Sequence, residues 1–386
     1  MHILLIPSWY PCTSADIEGS FFREQAIALK KQGCNVGVIV LQIQSLRSWK
    51  WLFNDGYKIK ITNDEGVNTY RLNCINWYPR IIRGQKKLLR DYGLKLYNRY
   101  INVHGKPEII HVHSMLYSGV IAYEISKKYK IPYVVTEHST SFMRGLVNPS
   151  RSALALSIAT SAKRRFAVSK PFATFLASYF KQKSGVWEVI PNIVNDNFFN
   201  HSTERIGSHE FVFLNVCFLQ KHKCVDLLIK AFAKLFKGQP EIMLRIGGDG
   251  DQRQLLESLA YSLGIANQVQ FLGRLSREQV CRQMAAANAF VLSSRYETFG
   301  VVVIEALALG KPVISTCCGG PEDIIRKEDG FLVPVNDLDA MVDAMHKLYK
   351  NLHKYDAEEI RSSCKLRYSE QSVSKRLLKI YSEVLN

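Results

Sequence analysis

Short apolar runs of five to nine residues alternate along the whole chain with longer stretches of helical periodicity, and this alternation does most to restrict the fold. Runs so short and so rich in Val and Ile fit strands buried on both faces, which occur in parallel sheets covered by helices. In the first half HILLIP (2–7), NVGVIVL (35–41), IIHVH (109–113), YVVTEH (133–138), RFAVS (165–169) and VWEVIPN (186–192) read as strands. In the second half FVFLNVCFL (211–219), IMLRIGG (242–248), VQFLG (269–273), AFVLSS (289–294), PVISTC (312–317) and GFLVP (330–334) repeat the rhythm. The stretch 20–32 reads as a helix closed by Gly33, the residue type favoured just past a helix end. The pattern predicts an α/β protein of doubly wound parallel sheets.

A chain of 386 residues exceeds the roughly 250–300 that one core organises, so two domains are expected. The junction falls in NIVNDNFFNHSTERIGSHE (192–210), where Asn, Ser and Gly accumulate and the rhythm pauses. The predicted division is an N-terminal domain at 1–195, a C-terminal domain at 205–365, and a terminal helix at 366–386 that packs back on the first domain. Ligands of such sheets bind beyond the carboxyl ends of the strands, so two facing sheets predict an interdomain cleft.

Several classes are excluded on composition. At 47% hydrophobic and 22% charged residues the chain is neither disordered, collagenous nor a coiled coil. The most apolar stretch, 299–309, carries Glu305 and is too short to span a bilayer. The start MHILLIPSWYP has no basic region ahead of its apolar run, so no secretory signal is expected. Nine scattered cysteines without a C-x-x-C pair argue against a disulfide framework or a zinc site, and predict reduced thiols in the cytoplasm.

Charge is uneven. Residues 1–200 carry 27 Lys and Arg against 12 Asp and Glu, whereas residues 201–386 carry 24 against 22, so most of the formal +17 lies in the first half. It is densest at 80–100, where Arg80, Arg83, Lys86, Lys87, Arg90, Lys95 and Arg99 face only Asp91. Trp77, Ile81, Ile82, Leu88, Leu89, Tyr92 and Leu96 interleave with them at mostly helical spacing. Two readings stand open: a segment attached to an anionic membrane surface, or a solvated helix whose apolar stripe packs on its own domain. The aromatic and basic stretch SLRSWKWLF (45–53) favours the membrane, peripherally and from the cytoplasmic side. No zinc finger, RRM signature or helix-turn-helix accompanies the charge, so nucleic acid is not an expected partner.

The strongest chemical constellation is SSRYETFGVVVIEALALGKPVIS (293–315). A strand ends in a loop carrying Glu297, and Thr298, Phe299 and Gly300 open a helix that holds Glu305 in its second turn. Free N–H groups at such a terminus attract phosphate, and Gly300 allows close approach to the backbone. Either carboxylate can accept hydrogen bonds from a sugar diol; an ordinary exposed acid at 297 and a buried, backbone-bonded one at 305 are the alternatives.

This Glu-x7-Glu stretch resembles the donor site of retaining glycosyltransferases of family 4, which have the GT-B architecture of two facing Rossmann-like domains. The resemblance extends over GSFFREQAIALKKQGCNV, IIHVHSMLYSG, VVTEH, FAVSK, VIPNIVN, KCVDLLIKAF, RIGGDG, FLGRLSREQV and FVLSSRYETFGVVVIEALALGKPVISTCCGGPEDII. It implies that Glu297 contacts donor-sugar hydroxyls near the reacting centre and that Glu305 holds the ribose diol. It assigns the diphosphate to the turn of Phe299, Gly300 and Val301, and to Lys223, which neutralises it as it departs. Gly248, between Gly247 and Gly250, falls where a glycine turn passes the nucleotide, and Arg274 beside the base. His113 faces the donor sugar; His138, ending the next strand, touches donor or acceptor. His111 points to the same side of its strand as His113 and is expected only to hydrogen-bond the backbone. Gly19 belongs with acceptor recognition, as do Arg83, Lys86, Lys87 and Arg90 unless these serve the membrane.

The chain also departs from the family. Cys217-Phe218-Leu219 replaces Gly-Arg-Leu, so Phe218 stands where the diphosphate arginine is usual, leaving Lys221 or Arg274 to compensate. The first strand leads into PSWYPCTSADIEGS rather than a Gly-Gly turn, and Ile193 replaces a glycine.

The expected activity is transfer of a sugar from a nucleotide-sugar, UDP-linked in preference to GDP-linked, to a lipid-linked or other membrane-associated glycan in cell-surface polysaccharide synthesis. No cofactor or metal is expected, since no Asp-x-Asp motif is present and a lysine with helix-terminal amides can take a metal's part. Two other readings are a sugar-nucleotide 2-epimerase of the same architecture and a non-catalytic Rossmann-type binding protein. Nicotinamide binding is disfavoured, because no G-x-G-x-x-G follows the first strand.

Overall fold

The structure, a computed structural model, describes residues 1–13, 16–47, 57–79, 81–201 and 210–386. Arg80, most of SLRSWKWLF and much of the expected junction lie outside the described residues. The chain forms two compact units, one from Met1–Cys12, Glu18–Pro191 and Val373–Asn386, the other from Asn192–Ser372 and the short segment Thr13–Ile17.

Among the described residues, the first unit contains β1 (His2–Pro7), β2 (Asn35–Gln44), β3 (Ile59–Asp64), β4 (Val67–Ile75), β5 (Ile109–His113), β6 (Tyr133–Glu137), β7 (Arg164–Ala167) and β8 (Glu188–Val189). They lie in the order β3-β4-β2-β1-β5-β6-β7-β8, parallel except for the antiparallel pair β3 and β4. That hairpin is absent from the sequence reading. β3 is an edge strand with its middle exposed, so it lacks the continuous apolar run that marks the others. Its signal is weaker: a Glu65-Gly66 turn, both at positive φ, ahead of the alternating VNTYRLNCI.

The second unit contains β9 (Phe211–Val216), β10 (Ile242–Gly247), β11 (Val269–Gly273), β12 (Ala289–Leu292), β13 (Val313–Thr316) and β14 (Gly330–Val333), ordered β11-β10-β9-β12-β13-β14. All of its pairings are parallel. Phe213, Phe232, Phe236, Leu244, Val291 and Ile314 belong to its core.

Both sheets reverse direction once. From β1 the chain builds outward through β2 and returns to β5 on the other side; from β9 it builds through β10 and β11 and returns to β12. Ligands of open α/β sheets bind outside the carboxyl ends of the strands at this reversal. His113 ends β5, while the loops bearing Lys223 and Glu297 follow β9 and β12.

The basic segment forms the helix Ile82–His104, whose Leu88, Leu89, Leu96, Tyr97 and Tyr100 are buried. Its apolar stripe is therefore spent on its own domain and is not presented to a bilayer. What stays exposed is the turn ahead of it, with Trp77 at 50% and Ile81 at 58% exposure. Residues Val373–Asn386 of the C-terminal helix Glu370–Leu385 count with the first unit, where Tyr381 bonds His111 and Glu383 pairs with Arg164 at 2.7 Å.

Candidate active site

The segment after β9 runs directly against the glycine turn after β10. Gly248 has φ +123°, and a Cβ there would stand 1.8 Å from the Cys217 carbonyl oxygen. The two strands of chain are joined where Cys217 N–H donates to Gly247 and Leu219 N–H to Asp249, each at 3.0 Å. Phe218, half exposed, rides on this turn, and Arg274 and Lys221 are exposed. The turn delivers Lys223 toward the loop after β12.

There Lys223 Nζ donates to Glu297 Oε1 at 2.6 Å. Ser294 Oγ donates to the same oxygen at 2.7 Å, and Ser293 Oγ to the Lys223 carbonyl at 2.9 Å. Glu297 is braced by its backbone, which donates to the Cys318 carbonyl at 2.8 Å and accepts from Gly320 N–H at 2.9 Å. A side chain at Gly320 would collide with the Phe299 backbone at 2.2 Å. The loop bearing Glu297 is thus held from behind by the segment 317–320. Burial opposes the charge on Lys223, but the Glu297 carboxylate outweighs it and raises the lysine above its ordinary value. The lysine stays cationic at neutral pH. Burial pushes the neighbouring Cys217 up to about 12 and Cys318 higher still, so both stay thiols and neither is a nucleophile.

Gly300, at φ +100°, opens the helix Val301–Ala308 without any side-chain cap. Its first amides are oriented as an anion-binding terminus. Phe299 itself turns inward, 3% exposed and packed on Tyr368, so only its backbone belongs to this turn. Glu305 is 1% exposed and ion-paired with Arg277, which also lies over the Phe198 ring at 4.9 Å. Sequence reasoning missed Arg277, because nothing local distinguishes it within SREQV from any polar residue starting a helix.

In the first unit His113, His111 and His138 are buried together. His113 Nδ1 and His138 Nε2 are 3.1 Å apart, and the Phe22 ring lies 4.7 Å from His113 and 4.8 Å from His138. Burial first, then the nearby His111 and His138, hold His113 well below the ordinary histidine range, and burial holds His111 at about 3. His113 is thus neutral at neutral pH, in hydrogen-bond contact with His138. His111 bonds side chains rather than backbone, with Tyr381 at 2.5 Å and Thr136 at 2.8 Å. Glu137, fully buried, accepts from the amides of Met115, His138 and Ser139 at 2.8, 2.9 and 2.8 Å; it ties the ends of β5 and β6 together and carried no signal beyond its place in VVTEH. Gly19 starts the helix Ser20–Lys31 against Trp9. Arg83, Lys87 and Arg90 are exposed, whereas Lys86 pairs with Glu124 at 3.7 Å.

Two family models match the chain: Glycosyltransferase Family 4 over residues 19–198 and Glycosyl transferases group 1 over 196–362. The chain is 27% identical over 346 residues to an uncharacterized glycosyltransferase of Methanocaldococcus jannaschii, covering 84% of this chain and 87% of that one. It is 27% identical over 197 residues to one component of the phosphatidylinositol N-acetylglucosaminyltransferase of Arabidopsis thaliana, covering 51% of this chain and 44% of that protein. The Anabaena HepE structure, solved with UDP and glucose, matches with a TM-score of 0.73 at 18% identity, over 98% of this chain and 99% of that one. The two family models meet end to end at the same point where one doubly wound sheet gives way to the next, and the chain belongs to the family 4 glycosyltransferases with the GT-B fold.

Proposed function

We propose that this glycosyltransferase is retaining and metal-independent, and moves a hexose from a UDP-sugar to a lipid-linked or other membrane-associated glycan in cell-surface polysaccharide synthesis, at the cytoplasmic face of the membrane. The observation that carries the reading is the Lys223–Glu297 pair, 2.6 Å apart, with Glu297 on the loop that opens the uncapped helix at Gly300. Glycosyl transfer builds positive charge on the sugar and negative charge on the departing phosphate. Lys223 and the amides at Gly300 and Val301 meet the second charge; Glu297 meets the first and binds sugar hydroxyls. Glu305 takes the ribose diol, Gly248 lets the backbone pass close to the nucleotide, and Arg274 lies beside the base. His113, at the end of β5, takes the role the family resemblance implies for it, facing the donor sugar. UDP is favoured because the HepE match was solved with it, and a lipid acceptor because the Arabidopsis relative is named for phosphatidylinositol.

Incubating the protein with UDP- and GDP-sugars and a bacterial lipid extract tests this reading. Release of UDP that depends on the extract, at a rate EDTA leaves nearly unchanged, is the expected result. Loss of the rate on chelation and its return with magnesium or manganese overturns metal independence, and a free epimerised sugar nucleotide without acceptor points to the epimerase.

Membrane attachment is assigned to the exposed cations of Ile82–His104 with the Trp77 and Ile81 turn, not to the buried stripe. Binding to anionic vesicles is then expected to fall steeply with salt. Replacing Arg83, Lys86, Lys87 and Arg90 by glutamine should release the protein into the supernatant on cosedimentation while its melting temperature holds, since solvated charges contribute little to the fold. Equal binding to neutral and anionic vesicles would reject the assignment.

A further inference from the structure

We propose that Arg277 is a positioning residue for nucleotide recognition: it holds the Glu305 carboxylate ionised and aimed so that it reads the ribose hydroxyls. The inference rests on the reading of Glu305 as the ribose-binding carboxylate.

Three separate elements meet at this point. Glu305 lies in the second turn of Val301–Ala308 and is 1% exposed. Arg277 is the first residue of the helix Arg277–Ala286, whose start is fixed by a reciprocal hydrogen-bonded cap between Ser276 and Gln279. Phe198, 2% exposed, comes from the short helix Asp196–Asn200. The guanidinium of Arg277 lies 4.9 Å over the Phe198 ring and ion-pairs with Glu305 Oε1. Its own side chain is only 13% exposed.

An ionised carboxylate this deeply buried is costly unless a cation answers it. A carboxylate that took up a proton would lose acceptor capacity for a diol. Arginine keeps its charge at every working pH, and its planar guanidinium, held between the Phe198 ring at 4.9 Å and the Glu305 carboxylate, has little freedom to turn. The direction of the guanidinium therefore sets the direction of the carboxylate. A lysine at 277 would supply the charge without the planar guanidinium, and a methionine neither.

A positioning role and a merely structural one differ in a single readout, the preference for a ribose over a 2′-deoxyribose. Isothermal titration of UDP and 2′-deoxy-UDP, with GDP and 2′-deoxy-GDP alongside, measures that ratio for whichever base binds. Wild-type protein is expected to favour the ribonucleotide by about 10- to 100-fold, the range for hydrogen bonds to a charged group. Arg277→Met should bring the ratio below about twofold, because the carboxylate is no longer held. Arg277→Lys, which keeps the charge and the fold should the methionine variant fail to fold, should lower the ratio roughly threefold. If either variant weakens both nucleotides equally and leaves the wild-type ratio intact, Arg277 only ties helices together and the proposal falls. A wild-type ratio near one, or no binding of any of the four nucleotides, instead overturns the ribose reading of Glu305 itself.

Discussion

Glu297→Gln is expected to lower kcat by roughly 10²–10³-fold, the range for removing one preorganised electrostatic group from a site where charge develops, and to lower the melting temperature as well, because the mostly buried Lys223 loses the charge that answers it. Glutamine has nearly the same shape, and its carbonyl oxygen can still accept from Ser294 and Lys223, which now stand at 2.7 and 2.6 Å from Glu297 Oε1. What it removes is the negative charge, and with it the group opposite the sugar's developing positive charge. Lys223→Met should cost a similar factor by leaving the departing diphosphate unanswered. Because each of the two also orients the other, the double variant is expected to lose much less than the product of the single losses. Steady-state kinetics with the UDP-sugar checks this. A double variant whose loss equals that product would mean that the 2.6 Å contact plays no part in turnover, and an unchanged kcat for Glu297→Gln would remove Glu297 from the chemistry.

The largest expected effect on stability is that of Gly248→Ala. At φ +123° any side chain is strained, and the new methyl would stand 1.8 Å from the Cys217 carbonyl oxygen, a backbone atom that cannot swing aside. Strain of about 1–3 kcal/mol and overpacking of about 1–3 kcal/mol together give roughly 3 kcal/mol or more. For a unit of this size that lowers the melting temperature by on the order of 10 °C. Gly33→Ala is the matched control, at φ +83° with nothing within 4 Å of the added Cβ; it should cost only about 1 kcal/mol, from backbone conformation alone. Thermal unfolding of the two variants separates close approach from conformation. Equal losses would mean that the 217–219 segment can retreat from the glycine turn. Nucleotide affinity should fall with Gly248→Ala and not with Gly33→Ala, since the same approach carries Lys223 to its place.

The parts of this protein legible in its sequence are those that local physical chemistry dictates. A strand buried on both faces is apolar at most positions, so β1, β5, β9 and β12 announce themselves without any knowledge of their neighbours, even with the buried His111 and His113 in β5 and Asn215 in β9. The loops that end those strands were legible for the same reason, whereas the resemblance to family 4, not local chemistry, singled out Lys223 and His113 in them and gave Glu297 its part at the sugar. The hairpin β3–β4 was not, because a strand with one wet face mixes polar and apolar residues and resembles a loop. The basic helix Ile82–His104 shows the limit from the other side. Its amphipathic pattern fits a stripe facing lipid as well as one facing its own sheet, and periodicity records that a face is apolar without recording what covers it. Only the packing showed that Leu88, Leu89 and Leu96 are already covered. Lys223 and Glu297 are 74 residues apart, and Arg277 and Glu305 are 28 apart. Whether an amine and a carboxylate at such separations meet depends on strand order and on how closely two loops pass. Local sequence thus determined the strands, their turns and the kinds of side chain at their ends. The tertiary structure decided the pairings, because a salt bridge needs a few ångströms between groups that the chain alone leaves free to lie anywhere within the domain.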